Sequence, residues 1–362
     1  GKTRSLLWAS ALAGLAIGTK YTAAWLCLPF AVAIGRNAWR RRPEGPLFNA
    51  LTASLAAGGI TIAVFAATSP YFFLDFETAW DHFTREMLRL SDEPAQAAGI
   101  NCYVDHFRIS LWYGLGWPVL LAALGAGLTM AFRHRGRGLL LWSLPIAYYL
   151  FTGRSNRFFI RYMDIVLPFL AIAAAWGVRA GYAALSVRPL STAGRSRALP
   201  VVVVLLMLIP SLIRVAAFDQ RIGRTDTRTD LRAWLSVNVP PEEPILWSGG
   251  WTAMPYMLHH RPIRMLAATE LIQPLLLHDP AALYHYRWVV LVDWPRAYYL
   301  KGRNAKERAY LASGMAGRYE QVHEIDGYKA GLPPEQFCVL DHFYMSYQSP
   351  WLIERPGPAV RI

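Results

Sequence analysis

"LPVVVVLLMLIPSLIRVAAF", residues 199–218, carries a single charge, Arg214, in an otherwise apolar run. A helix needs about 20 such residues to cross about 30 Å of hydrocarbon, and this run is long enough. From Asp219 onward Pro, charged and aromatic residues mix with short apolar segments, none of them long enough to span. The change after Phe218 therefore divides the 362-residue chain in two: a transmembrane helical domain, 1–218, and an α/β domain of ordinary size, 219–362.

Upstream lie five more apolar stretches, 5–35, 49–69, 109–131, 138–153 and 162–185. With 54% hydrophobic and only 17% charged residues, the composition indicates a polytopic α-helical membrane protein rather than a large soluble core. The net charge of +13 has a membrane explanation. Most Arg residues sit in short loops beside apolar runs, and no RNA- or DNA-reading motif accompanies them, so nucleic acid is excluded as the partner.

Three basic connections set the orientation: "RNAWRRRPEG" (36–45), "RHRGRG" (133–138) and "RPLSTAGRSRA" (188–198). They alternate correctly with the spans if all three are cytoplasmic, which suits a multi-pass protein of the cell inner membrane. The loop at 70–108 and the C-terminal domain are then extracytoplasmic. So is "TGRSNRFFIRYMDIVLPF" (152–169), although it holds Arg154, Arg157 and Arg161.

Three segments need a closer reading. The stretch 5–35 has Lys20 at its middle and basic residues at both ends, which fits a hairpin of two short helices with Gly18, Thr19 and Lys20 at the apex; one long tilted helix is the alternative. Within 70–108, Phe76, Trp80, Phe83, Met87 and Leu90 recur at helical spacing, apart from Glu77, Asp81, Arg85 and Arg89. That pattern predicts an amphipathic helix lying in the membrane interface, or one packed on the C-terminal domain. In that domain the expected order is a helix with Trp234 and Leu235 on its apolar side, a turn at Pro240 and Pro241, a strand into Trp247, a buried strand at 287–294, a helix at 305–315 and a strand at 319–325.

Of the cysteines, Cys27 falls in an apolar run and reads as packing, whereas Cys102 and Cys338 share the outer side and could pair there. None has metal-ligand or redox spacing. The chain begins with Gly1 and enters an apolar run almost at once, which reads as a fragment lacking its N-terminal part.

Charges at a membrane edge are costly and point to function. Lys20, Arg154, Arg157 and Arg161 converge on the outer side, where arginine forks grip phosphate oxygens and an anionic headgroup is the expected ligand. The competing reading has them snorkel or pair with Asp75, Asp81 or Asp164. Asp75, Glu77, Asp81, Glu86 and Asp164 are available as bases, but no spacing marks a dedicated pair. His82, His259 and His260 read as surface or packing residues, and Asp105 and His106 beside a span are ambiguous. There is no Ser-His-Asp arrangement, phosphate-binding glycine loop or zinc motif, so no metal or cofactor is expected.

Four segments in order carry a resemblance: "GLAIGTKYTAAWLCLPF" (14–30), "TSPYFFLDFETAWDHFTRE" (68–86), "RFFIRYMDIVLPFLAIAAAW" (157–176) and "DHFYMSYQSPWLIERPGPAVRI" (341–362). Together they resemble protein O-mannosyltransferase-like enzymes, the glycosyltransferase family 39 branch of the GT-C fold, over nearly the whole chain. The resemblance implies an integral membrane enzyme that transfers a sugar from a polyprenyl-phosphate donor to a protein, lipid or glycan acceptor at the extracytoplasmic face. It implies a lipid-linked sugar as substrate and membrane lipid as partner. It places the catalytic acid in a first outer loop that would precede Gly1, leaving this chain inactive alone. Arg161 with Tyr162 matches the family's Arg-Tyr position, which makes them the first candidates for the donor phosphate, followed by Lys20, Arg157 and Arg154. A transporter or lipid flippase is the alternative, disfavoured because the charges gather on one face and not at the midplane. A non-catalytic anchor displaying the α/β domain is another.

Overall fold

The apolar stretches fold as helices, interrupted where glycine, proline or a charge breaks the pattern. This computed structural model describes residues 2–40, 46–89, 101–155, 158–186, 198–247, 262–265, 285–293, 317–327, 339–340, 345–346, 351, 353–357 and 359–362. They form two compact units, divided between Ile209 and Pro210.

In the first unit α1 (Lys2–Thr19) stops at Lys20, whose backbone is extended (φ −156°, ψ 117°). A 3-10 turn (Tyr21–Leu26) and α2 (Cys27–Arg40) follow, then α3 (Pro46–Thr68). The Thr61 hydroxyl donates to the Ser10 carbonyl at 3.1 Å, and Gly18 lies against Thr68, so α1 and α3 run parallel. A chain joining two parallel helices must return between them, and α2 makes that return. The stretch 5–35 is thus broken at Lys20 and is not one long helix. A short apolar turn, α4 (Tyr71–Leu74), and the amphipathic α5 (Phe76–Arg89) come next.

The stretch 109–131, expected as one span, is split. Cys102–Gly114 comprises α6 (Cys102–Asp105), a π-helical turn (His106–Leu111) and α7 (Trp112–Gly114), and it meets α8 (Trp117–Arg133) at a bend of 114°. The cause is "GLGWP": Gly116 adopts φ 86°, ψ 134°, a conformation open to glycine, and Pro118 follows in the first turn of α8.

Helix α9 (Arg135–Gly153) runs back along α8. Its start lies by the end of α8, with Gly138 against Met130, and its end lies by α6, where the Tyr103 hydroxyl donates to the Leu150 carbonyl at 3.3 Å. A 3-10 turn (Ile160–Met163) leads to α10 (Leu167–Ser186), which packs closely on α8 through small residues: Gly177 touches Ala122 and Ala126, beside the buried Ala123, Ala173 and Ala174.

These pairings give the unit two chemically different ends. At one, Arg36 lies against Gly136, between Arg135 and Arg137. At the other, Trp25 packs on Tyr148 and Phe151 (ring centroids 5.7 and 5.0 Å), so the break after Lys20 sits beside the end of α9.

Among the described residues three helices are long and apolar enough to cross a membrane, Ala50–Thr68, Leu167–Ala184 and the one starting at Ala198; the bent pair makes a fourth if it counts as one span. The last of these, α11 (Ala198–Ile222), leaves Val201, Leu205, Leu206, Leu212 and Ile213 exposed, as a lipid-facing helix would.

Among its described residues the second unit carries α12 (Thr227–Asn238) and seven strands, β1 (Ile245–Trp247), β2 (Ile263–Met265), β3 (Trp288–Asp293), β4 (Glu324–Ile325), β5 (Val339–Leu340), β6 (Met345–Ser346) and β7 (Ala359–Arg361). The main sheet has the order β2-β1-β3-β7-β4; β1 is parallel to β2 and β3, while β7 is antiparallel to β3 and β4. Strands β5 and β6 form a separate antiparallel pair. Leu231 and Leu235 of α12 are buried on Ile245, Trp247, Val290, Ile325 and Val360. The strand expected at 287–294 is β3, whereas only the end of 319–325 is strand. The helix expected at 305–315, together with His259, His260 and Cys338, lies outside the described residues.

The tail segment "ERPG" (354–357) closes this unit. The Thr227 amide donates to the Pro356 carbonyl, the Glu354 amide to the Gly327 carbonyl, and Arg221 Nε to the Ile353 carbonyl, each at 2.9 Å. Arg355 also pairs with Asp230. This part of the resembling tail therefore has a structural role on α12.

Candidate functional site

The segment "NCYVDHFRISL" (101–111) builds the most unusual part of the first unit. Asn101 caps α6: its side chain accepts from the Val104 amide at 3.2 Å, while Asp105 Oδ2 accepts from the Asn101 amide at 3.1 Å. This reciprocal cap fixes the first turn and explains why a carboxylate is buried there. The helix then widens into the π-helical turn, a geometry frequent at functional sites.

Within that turn His106 Nδ1 lies 3.1 Å from Ser110 Oγ, and both residues are buried. The other ring nitrogen, Nε2, is buried and has no hydrogen-bond partner among the described residues. A buried polar atom left this way costs about 1–3 kcal/mol unless something satisfies it. The imidazole packs on Phe158 (4.8 Å) and faces Tyr162 (6.5 Å), which flank the arginine-bearing connection.

The turn Ile160–Met163 packs directly on the π-helical turn. There Tyr162 meets Phe159 edge-on at 5.2 Å, and the exposed Arg161 holds its guanidinium 4.6 Å from the centre of the Phe159 ring. Tyr148 of α9 lies between this cluster and the break at Lys20, close to Tyr162, Asp164, Tyr21 and Thr22 and packed edge-on to Trp25. Lys20 itself is exposed. Arg154 is exposed just past α9, its amide donating to the Phe151 carbonyl at 3.3 Å. Arg157 lies outside the described residues. Of the expected group, Tyr162 and Arg161 thus share one turn against His106, while Lys20 and Arg154 sit at the same end of the unit.

Among the carboxylates, Asp81 is engaged by Arg85 at 2.7 Å, Asp75 and Glu77 are exposed on α4–α5, and Asp164 belongs to the Tyr148 cluster. Nothing is described of the Glu86 side chain. Cys102 is a buried free thiol, and Cys27 is exposed on α2 instead of packed. Among the described residues no three His, Cys, Asp or Glu side chains gather as a metal site.

Sequence reasoning left His106 ambiguous and passed over Ser110 and Tyr148. The available signal was local: an Asn101–Asp105 cap followed at once by His and, four residues on, Ser. No protein-family model, curated protein or solved structure matches the chain.

Proposed function

We propose that this chain is a multi-pass membrane protein, GT-C-like in kind, that receives a polyprenyl-phosphate-linked sugar at the end of its helical unit where Lys20, Arg154, Arg161 and Tyr162 lie, and takes part in transferring that sugar to an acceptor. The observation that carries this reading is the packing of the Arg161–Tyr162 turn on the π-helical turn of His106. The opposite end holds Arg36, Arg135 and Arg137. By the positive-inside rule we read that opposite end as cytoplasmic and the Arg161 turn as facing the outer side. On that reading the basic side chains of the turn run against the rule, which is why a phosphate-bearing ligand is proposed there.

The chemistry fits the residues. Glycosyl transfer from a phosphate donor develops negative charge on the leaving phosphate, and an arginine fork stabilises that charge. Arg161, exposed and with its guanidinium over Phe159, is the residue proposed for that role. This reading gives the Arg161 turn the donor-phosphate end of the reaction. The identity of the reaction rests on the resemblance of residues 14–30, 68–86, 157–176 and 341–362.

The test uses the protein in lipid nanodiscs with a series of radiolabelled polyprenyl-phosphate hexoses. Donor binding is expected, and Arg161→Ala should weaken it about tenfold or more, with Arg161→Lys intermediate because lysine keeps the charge and loses the fork. Equal binding by Arg161→Ala removes Arg161 from the site, and no binding of any donor removes the reading.

A further inference from the structure

We infer that His106 is a phosphate-binding residue, donating from Nε2 to an oxygen of an anionic group that enters against Phe158 and Tyr162. This rests on the proposed phosphate ligand but assigns it a partner that the arginines do not supply.

The tautomer follows from counting donors. Among the described residues the one side-chain partner of Ser110 Oγ is His106 Nδ1. If Nδ1 carried the proton, both the serine hydroxyl hydrogen and the Nε2 lone pair would be left without partners. If the serine donates to Nδ1 instead, one group alone is orphaned, an Nε2–H, and buried polar groups tend to be satisfied. The second arrangement makes the unpartnered atom a hydrogen-bond donor, so the missing partner is an acceptor.

Position selects which acceptor. The ring is wholly buried and packs on Phe158, and the turn beside it carries Arg161. A buried donor next to a turn that carries a cation suits an anion with several oxygens to share between them. Phosphate has that shape, whether it comes as a lipid headgroup or as the free ion. The π-helical turn makes the arrangement rigid, because Ser110 holds the imidazole from behind and the Asn101–Asp105 cap fixes the start of the same helix.

The experiment uses the full chain in nanodiscs, labelled with nitrogen-15 histidine and titrated separately with polyprenyl phosphate, the matching polyprenol and inorganic phosphate. The His106 signal is identified by its loss in His106→Gln. Polyprenyl phosphate should shift the His106 Nε2 resonance and polyprenol should not. His106→Phe, which keeps a ring but no donor, should weaken polyprenyl phosphate binding about tenfold, while His106→Gln, which can still donate, should stay within about threefold of the wild type. An equal response to inorganic phosphate supports His106 as the ligand and names the free ion as its source. Wild-type affinity in His106→Phe overturns the inference and leaves the Arg161 reading standing. Failure of every phosphate to bind the wild-type chain overturns both.

Discussion

Gly357 sits directly on Thr227. The glycine has φ 106°, and a β-carbon there would run into the Thr227 hydroxyl and lie 2.6 Å from Asp226 Oδ1. Thr227 is wholly buried in the first turn of α12, and Asp226 caps that turn by accepting from the Arg228 amide at 2.8 Å. Helix capping and tail docking therefore meet at one crowded point, where only a residue without a side chain fits.

Gly357→Ala should accordingly destabilise the second unit by about 1–3 kcal/mol, from backbone strain together with the clash. Pulse proteolysis across a urea series on the full chain reads this as a lower midpoint. An unchanged midpoint would mean that "ERPG" lies on α12 without supporting it.

Acid should weaken the same unit through Glu324. Its carboxyl is held below the ordinary value of 4.5, chiefly by the hydrogen bond from Arg361 Nε at 3.0 Å, which joins β4 to β7. A carboxyl whose folded value is depressed contributes stability above its unfolded value and loses that contribution as pH falls through the folded one. The loss thus falls below pH 4.5. Both partners are half-exposed, so the effect is small. Between pH 6 and pH 3 the wild-type melting temperature should drop slightly more than that of Glu324→Gln, and identical drops would exclude this pair as a source of acid sensitivity.

The exposed face of α5 should lie in lipid. Phe76 stacks on Trp80 at 5.8 Å, and both are exposed, while Arg85 turns to Asp81 on the other side of the helix. Spin labels placed singly at Phe76 and Trp80 in proteoliposomes should relax with oxygen, and one at Arg85 with a water-soluble nickel complex. Reversed or equal accessibility would show that this face does not rest on the bilayer.

Much of the helical unit was legible because its signals are local. The charge of Lys20 within an apolar run marks a break, and the period of Phe76, Trp80 and Phe83 marks an amphipathic helix. The split at Gly116 was less legible, because an apolar count runs straight through "GLGWPV" and misses a positive φ. The π-helical turn was invisible, since "DHFRIS" fits an ordinary helix and widens only where Phe158 and Tyr162, some fifty residues on, pack against it. The same distance effect hid β7, whose three residues are too few for a period and become a strand only between β3 and β4.

The placement of β7 has a consequence for synthesis. It lies inside the sheet order yet follows the other described strands of that sheet in the chain, and the tail contacts of Arg221 and Arg224 join residues 132 and 130 positions apart. Until Ala359–Arg361 emerges, β3 has one unpaired edge and α12 lacks the carbonyl that receives the Thr227 amide. Pairings so distant in sequence are slow to form, and an open strand edge recruits other chains. The nascent second unit therefore passes through a window in which the edge of β3 must be shielded from other chains before β7 arrives to cover it.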